Sequence, residues 1–301
     1  MKRLLIIYNP RSSRFKDVEK EVLAKTRDLR GYMVGKYEIL PTDVDDNAAK
    51  LAKLIRDDDL IIAAGGDATA VVAVNGIMLS KKTAVLGVLP YGNFNDLSRT
   101  LRTRKIEDVL AGKTIKYWPF DISVDGKHFR YASSYLTMGM TAEAVEIFDS
   151  KKIRKYLQGG HKSSWRSYLY LARWYFKNRH KKTYLPEFKL NGKLMDKRIS
   201  DYCAINGYSM MRVMKGGEWY RDVKEFRHET VRLGNLRHLF RLMSKSILKQ
   251  VPGEQVIQST VEFLRPATVE MQAEGEYKVF EGIKKVEIKK AETPLLVRQL
   301  G

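Results

Sequence analysis

The sequence predicts two domains: a Rossmann-like parallel α/β domain and, after it, a β-sandwich. With 301 residues, the chain is long for a single hydrophobic core. Up to about residue 115, short apolar runs alternate with segments of helical spacing, which is typical of a parallel sheet with crossover helices. Beyond that point strand-like runs and tight turns dominate. We therefore place the first domain at residues 1–115 and the second at 116–289.

The first domain alternates strands and helices along the chain. Parallel strands with right-handed crossovers place all their carboxyl ends at one edge of the sheet, where ligands bind in open α/β folds. Each loop that follows a strand is therefore a candidate binding element. The predicted strands are 4–8, 32–40, 60–64 and 84–89, and the predicted helices are 17–29, 47–56 and 71–78.

The second region is rich in short strands and two-residue turns. Asp125-Gly126 and Asn191-Gly192 are the residue pairs that tight hairpins favour, because both positions need a positive φ. Strands are predicted at 115–120, 121–124, 129–135, 187–190, 199–205, 231–233, 261–264, 268–271 and 286–288.

The formal net charge of +20 is the strongest compositional signal. A charge of this size predicts an anionic partner. Nucleic acid, an acidic membrane surface and a phosphorylated small molecule are the three alternatives, and charge alone does not choose among them. The single cysteine, Cys203, excludes an intramolecular disulfide framework and fits a reducing compartment. The N-terminal apolar run is too short for a signal peptide, and no run approaches a membrane span. We expect a cytoplasmic protein, and a homodimer stays open.

A basic helical insertion interrupts the second region at about 151–182. It contains eleven Lys and Arg residues and no acidic residue, and these are interleaved with Trp165, Tyr168, Tyr170, Trp174, Tyr175 and Phe176. A basic amphipathic helix with boundary aromatics is attracted to anionic lipid. A core-packed helix with a solvated basic face is the structural alternative. Because no recognised nucleic-acid-binding module frames these residues, we expect peripheral membrane association and no nucleic acid.

Three polar turns follow predicted strands of the first domain. The central turn, Gly65-Gly66-Asp67-Ala68-Thr69, brings two adjacent glycines to the start of a helix. Glycines allow close backbone approach, and free N–H groups at a helix start bind anions, so this turn suits phosphate. It has neither the lysine of a P-loop nor the spacing of a dinucleotide fingerprint. The carboxylate of Asp67 suits a divalent cation or proton transfer, and an ordinary N-cap is the alternative.

These turns resemble the signatures of the diacylglycerol kinase catalytic-domain family of soluble lipid kinases, which is related to NAD kinases. Their order and spacing agree with the family over roughly the first 110 residues. The threonine that closes strand two in bacterial members matches Thr42. The matching segments are Asn9-Pro10-Arg11-Ser12-Ser13, Gly65-Gly66-Asp67-Ala68-Thr69 with Asn75-Gly76, and Leu86 to Arg99, which contains Gly92-Asn93-Phe94-Asn95-Asp96.

The resemblance implies an ATP- and Mg²⁺-dependent transfer of the γ-phosphoryl group to a lipid hydroxyl, with nucleotide in the cleft between the domains. It also implies that residues 290–301 complete the first domain. Glu276 matches the family's catalytic base, Glu274 replaces the aspartate before it, and Asp67 joins them as a catalytic candidate. The resemblance implies that Asp67 and Asp96 are the metal ligands. Nucleotide contacts fall to Asn9, Pro10, Arg11, Ser12, Ser13, Thr42, Gly65, Gly66, Asp67, Ala68, Thr69, Gly92, Asn93, Asn95 and Asp96.

Several positions depart from the family pattern. Ala68 replaces a glycine, Val71 and Val72 stand where many members have Asn-Glu, and Asn93 replaces a threonine. The Asp-Gly turn that holds a structural Mg²⁺ appears as His228-Glu229, so we expect that metal site to be lost or rebuilt. These departures leave two alternatives open: a binding protein that has lost catalysis, and a small-molecule kinase of the NAD kinase type.

Overall fold

The computed structural model describes residues 2–12, 14–27, 29–92, 95–143, 173, 176–177, 185–210, 214–215, 224–232 and 253–301. The predicted contacts of Ser13 and Asn93 lie outside these residues. So does most of the basic insertion, of which Arg173, Phe176 and Lys177 are described and exposed.

In the part of the chain that the structure describes, the first sheet has six strands in the order β2-β1-β3-β4-β18-β5. Strands β1 to β4 and β18 pair in parallel, and β5 is antiparallel to β18. The C-terminal strand therefore lies in the same sheet as the N-terminal strands. The strand bounds are β1 (Lys2–Tyr8), β2 (Tyr32–Glu38), β3 (Leu60–Gly65), β4 (Val85–Pro90), β5 (Lys113–Tyr117) and β18 (Leu295–Gln299).

Helices cover both faces of this sheet. The first helical segment contains a π-helical turn at Glu19–Leu23, and Asp43 caps α3 by accepting a hydrogen bond from the backbone N–H of Asp45. The helix after β3 begins at Asp67, earlier than the predicted start, because Gly66 is its N-cap. The helix bounds are α1 (Phe15–Val18), α2 (Ala24–Thr26), α3 (Val44–Ala52), α4 (Asp67–Ser80), α5 (Asp96–Leu101) and α6 (Ile106–Ala111).

The core of the first sheet explains its apolar runs. Every residue of β3 is buried, as expected for a central parallel strand with helices on both faces. Alternate residues of β1 belong to different clusters: Leu5 and Ile7 pack with α3 and α4, whereas Leu4 and Ile6 pack with Val18 of α1. The interior of α4 is buried almost throughout, which fits its nearly continuous apolar sequence.

The second sheet is antiparallel and, within the described residues, has ten strands, with main order β15-β14-β11-β8-β16-β17-β6-β7. Two predicted strands at 261–264 and 268–271 form one long strand, β16, with register shifts between Glu262 and Val269. Asp125-Gly126 and Asn191-Gly192 adopt the positive φ predicted for tight turns. The bounds are β6 (Phe120–Val124), β7 (Lys127–Ala132), β8 (Tyr135–Gly139), β9 (Phe188–Leu190), β10 (Lys193–Leu194), β11 (Asp201–Ile205), β12 (Ser209–Met210), β13 (Met214–Lys215), β14 (Phe226–Val231), β15 (Glu254–Val256), β16 (Gln258–Ala273) and β17 (Glu276–Lys290).

Polar contacts join the first domain to the second sheet. The side-chain amide of Asn75 on α4 donates to the carbonyl of Tyr131 (2.9 Å) and accepts from its N–H (2.8 Å), so it pairs with the edge strand β7. Arg130, which is 4% exposed, pairs with Asp45 at the start of α3. The fold class is thus the predicted one, an α/β domain with a parallel sheet followed by a domain of antiparallel strands.

None of the helices in the described ranges is long and apolar enough to cross a membrane.

Candidate active site

The predicted turns leave the first sheet at one edge. In the parallel register Tyr8 of β1 lies beside Ala64 of β3, and Gly65 lies beside Pro90 of β4. The loops that follow these three neighbouring strands therefore begin at the same level. This is the edge at which open α/β sheets bind ligands.

The two glycine turns are in backbone contact. A Cβ built on Gly92 would stand 2.2 Å from the Cα of Gly66, and one built on Gly66 would stand 3.1 Å from the Cα of Gly92. The N–H of Tyr91 also donates to the carbonyl of Gly65 at 3.0 Å. Only glycine at position 92 allows this approach. The turn at Gly65-Gly66 and the turn at Gly92 are therefore packed directly against each other.

Asp67 holds the start of α5. Its two carboxylate oxygens accept hydrogen bonds from the N–H groups of Asn95 (3.0 Å) and Asp96 (2.9 Å). Partial burial raises the pKa of Asp67, and these N–H groups oppose that rise. Asp67 is thus the first residue of α4 and also accepts hydrogen bonds from the first backbone N–H groups of α5. It therefore orders the turn that contains Gly92 and Asn95.

Asn95 fixes the backbone of Gly92 from the other side. Its side chain accepts from the N–H of Gly92 at 2.8 Å and donates to the Gly92 carbonyl at 2.6 Å. The backbone of Asn95 is left-handed, with φ 56°, a conformation that asparagine tolerates better than most residues. Asn95 therefore shapes the turn rather than presenting its amide outward.

The first turn is tied to its neighbours by side-chain hydrogen bonds. The hydroxyl of Ser12 donates to the carbonyl of Tyr91 at 3.0 Å, and Arg11 donates to the carbonyl of Leu40 at 3.0 Å. Asn9 accepts from the N–H of Arg11 at 2.9 Å, which closes the turn. Thr42 is exposed just beyond Leu40. The predicted nucleotide residues of the described chain thus form one linked edge.

The family departures in α4 are compatible with this arrangement. Ala68 lies within the helix, so its position does not require a left-handed backbone. Val71 and Val72 are 0% and 1% exposed and pack in the core, away from the edge where phosphates would lie.

Glu274 enters the site from the second sheet. It occupies the left-handed first position of the turn between β16 and β17, with φ 55°, and is 4% exposed. One carboxylate oxygen accepts hydrogen bonds from the Ser133 hydroxyl and the Ser134 N–H, and the other has no hydrogen-bond partner. Burial raises the pKa of Glu274, and the Ser133 and Ser134 hydrogen bonds oppose that rise.

The charges of carboxylates from both domains act on Tyr135. Tyr135 is buried, and burial, followed by the charges of Asp96, Asp67 and Glu274, raises its pKa well above the ordinary value. Glu276 lies beside Ala273 in the strand register. The catalytic roles of Glu274 and Glu276 stay predictions.

The described residues contain no group of three or more His, Cys, Asp or Glu side chains placed to hold a metal ion. At the expected structural Mg²⁺ turn, His228 is buried, and its Nδ1 lies 2.8 Å from the Ser259 hydroxyl, which also accepts from Tyr202. Burial lowers the pKa of His228 and favours the neutral ring. His228 thus belongs to a hydrogen-bond chain with Ser259 and Tyr202, and its neutral ring is a poor match for Mg²⁺, which prefers oxygen ligands.

Sequence reasoning missed Ser133, Ser134 and Tyr135. They lie within the strand predicted at 129–135, which the structure divides into β7 and β8 at Ser133-Ser134. They carry no motif, and only the fold brings them to Glu274, about 140 residues away along the chain. The pair Ser133-Ser134 between two strand-like runs is the one local signal of a polar turn.

Comparison with known proteins places these observations in a family context. Residues 3–117 match the model of the diacylglycerol kinase catalytic domain. The resemblance predicted from the three turns is thereby confirmed, and every turn of the linked edge falls within the matched residues.

Relatives and solved structures agree with this match. The chain is 39% identical over 135 residues to a diacylglycerol kinase of Bacillus subtilis, covering 43% of the chain and 44% of that protein. It is 29% identical over 163 residues to one from Staphylococcus carnosus, covering 52% and 51%. The matches thus span about half the length of these relatives. A structure described as a diacylglycerol kinase from Bacillus anthracis superposes with a TM-score of 0.65 at 12% identity, covering 99% of this chain and 97% of that one, which shows a shared fold.

Proposed function

We propose that this protein is an ATP-dependent lipid kinase that transfers the γ-phosphoryl group to a lipid hydroxyl at an anionic membrane surface. The observation that carries the proposal is the backbone contact between the Gly66 and Gly92 turns at the edge of the first sheet, with the buried carboxylate of Glu274, held by Ser133 and Ser134, in the second sheet. This arrangement suits a phosphoryl donor bound at the first sheet and an acceptor hydroxyl bound at the second.

The donor side fits a triphosphate. Gly66 and Gly92 expose backbone without side chains, and α4 directs its first N–H groups towards the same edge. Phosphoryl transfer depends mostly on positioning and charge stabilisation, which linked rigid turns provide. Mg²⁺, when bound, would neutralise phosphate charge, and because the described residues offer no three-ligand cluster, the phosphates and Asp96 would be its main ligands.

The acceptor side offers a carboxylate suited to general-base catalysis. Serine and backbone donors hold one oxygen of Glu274, and the other oxygen is unpaired. A pKa raised by burial brings a carboxylate closer to the operating pH, which favours proton transfer from a hydroxyl. We therefore propose Glu274 as the residue that accepts the proton, with Glu276 as the family-based alternative.

Membrane docking rests on charge. The net charge of +20 would attract anionic lipid, and the predicted basic insertion would supply much of it. Sedimentation with phosphatidylserine vesicles, lost in zwitterionic vesicles and at high salt, is the expected result. Equal binding to both kinds of vesicle would contradict this part of the proposal.

The decisive experiment incubates the protein with γ-labelled ATP, Mg²⁺ and vesicles of a total lipid extract, with NAD as a parallel acceptor. We expect label in an organic-phase lipid and none in NAD. Label in NAD would instead support a small-molecule kinase. Stabilisation by ATP without labelled product from any lipid would support a binding protein that has lost catalysis.

A further inference from the structure

A buried asparagine organises the loop that follows β2. Asn47, in the first turn of α3, is 0% exposed, and its side-chain oxygen accepts a hydrogen bond from the N–H of Leu40 at 2.9 Å. The hydroxyl of Tyr37 lies 3.3 Å from the same oxygen. Because a backbone N–H can bond only to an acceptor, the oxygen of the amide must face Leu40, and this fixes the position of the nitrogen. Asn47 therefore presents an NH₂ group to the residues that follow Leu40.

The nitrogen of this amide has two near acceptors. Nδ2 of Asn47 lies 2.9 Å from the carbonyl oxygen of Asp43 and 3.0 Å from Oγ1 of Thr42. The carbonyl oxygens of Leu40 and Thr42 are farther away, at 3.2 and 3.4 Å. An amide nitrogen carries two protons, which is enough for the two nearest acceptors. In the contact between the two side chains, Asn47 is thus the donor and Thr42 the acceptor.

This contact decides what the hydroxyl of Thr42 offers to a ligand. A threonine hydroxyl has a single proton, and because Asn47 supplies the proton between the two side chains, that of Thr42 is not used there. Thr42 is exposed, and within the described part of the chain its hydroxyl donates no hydrogen bond. The exposed loop therefore presents a hydroxyl donor, which fits an acceptor oxygen or nitrogen of a ligand.

The loop that carries Thr42 is attached to the first turn and to the second sheet. The carbonyl of Leu40 accepts hydrogen bonds from Arg11 of the first turn at 3.0 Å and from Asn47 at 3.2 Å. On the other side of Thr42, a carboxylate oxygen of Asp43 lies 4.0 Å from the buried guanidinium of Arg130 in β7. The hydroxyl donor is therefore held at the edge of the first sheet where nucleotide is expected.

We propose that Asn47 is a positioning residue for nucleotide binding, which keeps the hydroxyl of Thr42 oriented as a hydrogen-bond donor to the nucleotide. This rests on the proposed kinase function and deepens it, because it assigns a role to a buried side chain that does not itself reach the nucleotide. An ionised aspartate has the same shape as asparagine but can only accept hydrogen bonds. At position 47 it would draw the proton of Thr42 inward and remove the donor from the loop surface.

Isothermal titration calorimetry with ATP and Mg²⁺, in the absence of lipid, measures binding without turnover. Thr42→Val should raise the Kd for ATP about 3- to 10-fold, the range for one hydrogen bond, and Thr42→Ser should recover most of the lost affinity. Asn47→Asp should raise the Kd by a similar factor. Because Asn47 acts through Thr42, the double variant should bind no more weakly than Thr42→Val alone. The matched control is Thr114→Val, on the exposed edge strand β5, which should keep the wild-type Kd.

A purely structural role for Asn47 would make the two substitutions independent, so that their effects on the Kd multiply in the double variant. Multiplied effects, or an unchanged Kd in Thr42→Val or in Asn47→Asp, overturn the positioning role. If Asn47→Asp does not fold, Asn47→Ala, which lets the hydroxyl rotate, should show the same dependence on Thr42. If neither variant folds, Asn47 is a structural residue and the positioning role is also overturned.

The same titrations separate this proposal from the kinase proposal. If the wild type binds ATP with the expected coupling between Asn47 and Thr42 but labels no lipid, the kinase proposal fails and the positioning role stands. If it labels lipid and the coupling is absent, the positioning role fails and the kinase proposal stands. A wild type that does not bind ATP overturns both.

Discussion

Replacing Gly92 with alanine should push apart the turn at Gly65-Gly66 and the turn at Gly92, which are in backbone contact at the edge of the first sheet. The new Cβ would stand 2.2 Å from the Cα of Gly66, whereas carbon atoms pack at about 3.5–4.0 Å. The two turns must therefore move apart by about 1.5 Å. Because both partners are backbone, no side chain can rotate away, and we expect a loss of about 1–3 kcal/mol in the free energy of unfolding.

Phosphoryl transfer should suffer more than stability does. A shift of about 1 Å in a positioning element can cost about 100-fold in rate. We therefore expect Gly92→Ala to lower kcat/KM for ATP by about 100-fold or more, measured with γ-labelled ATP and lipid vesicles. Urea denaturation of the same preparation gives the stability change.

Two further glycines give a graded series. A Cβ on Gly66 would stand 3.1 Å from the Cα of Gly92, so Gly66→Ala should have a smaller effect. A Cβ on Gly35, in β2, would meet Leu5 at an ordinary 3.4 Å, so Gly35→Ala should match the wild type. If Gly92→Ala keeps activity within about twofold of wild type, contact between the turns does not organise the site.

Two other predictions concern the junction and the proposed base. Asn75→Ala should lower the free energy of unfolding by about 1–3 kcal/mol in urea titrations, because the N–H and carbonyl of Tyr131 lose their partner, and an unchanged midpoint would contradict this role. Glu274→Gln should change the pH dependence of stability. Because burial raises the pKa of Glu274 above its ordinary 4.5, the folded state holds the proton more tightly, so the wild type should lose stability as pH rises from 4.5 through the folded pKa. The variant should lack this loss above pH 4.5, and parallel pH curves for the two proteins would refute the assignment.

Local sequence was enough to predict the scaffold of the nucleotide edge. The apolar run of β3 and the glycines at 65 and 66 define a strand, a turn and a helix start through short-range preferences alone. The helix start at Asp67 was missed because Asp-Ala-Thr lacks apolar periodicity, although Gly66 can cap the helix. Likewise, β16 was divided because the polar and proline residues near Arg265 interrupt the pattern at a bulge.

Long-range polar contacts could not be predicted. The partners of Asp67 are backbone N–H groups 28 and 29 residues away, and backbone groups leave no trace in the side-chain sequence. Glu274 was expected as a substitute for the family's aspartate, and its burial against Ser133 depends on how β8 packs beside β16. Residue type therefore predicts the donor side of this site better than the acceptor side.

One comparison tests the central claim most directly. The claim is that the glycine turns of the first sheet hold the phosphoryl donor and that Glu274 of the second sheet acts as the base. Wild type and Glu274→Gln are incubated with γ-labelled ATP, Mg²⁺ and lipid-extract vesicles, and labelled organic-phase lipid is quantified over time. We predict labelled lipid with the wild type and a rate about 100- to 10,000-fold lower with Glu274→Gln, the range for loss of a general base. No labelled lipid from the wild type, or equal rates from the two proteins, would contradict the account.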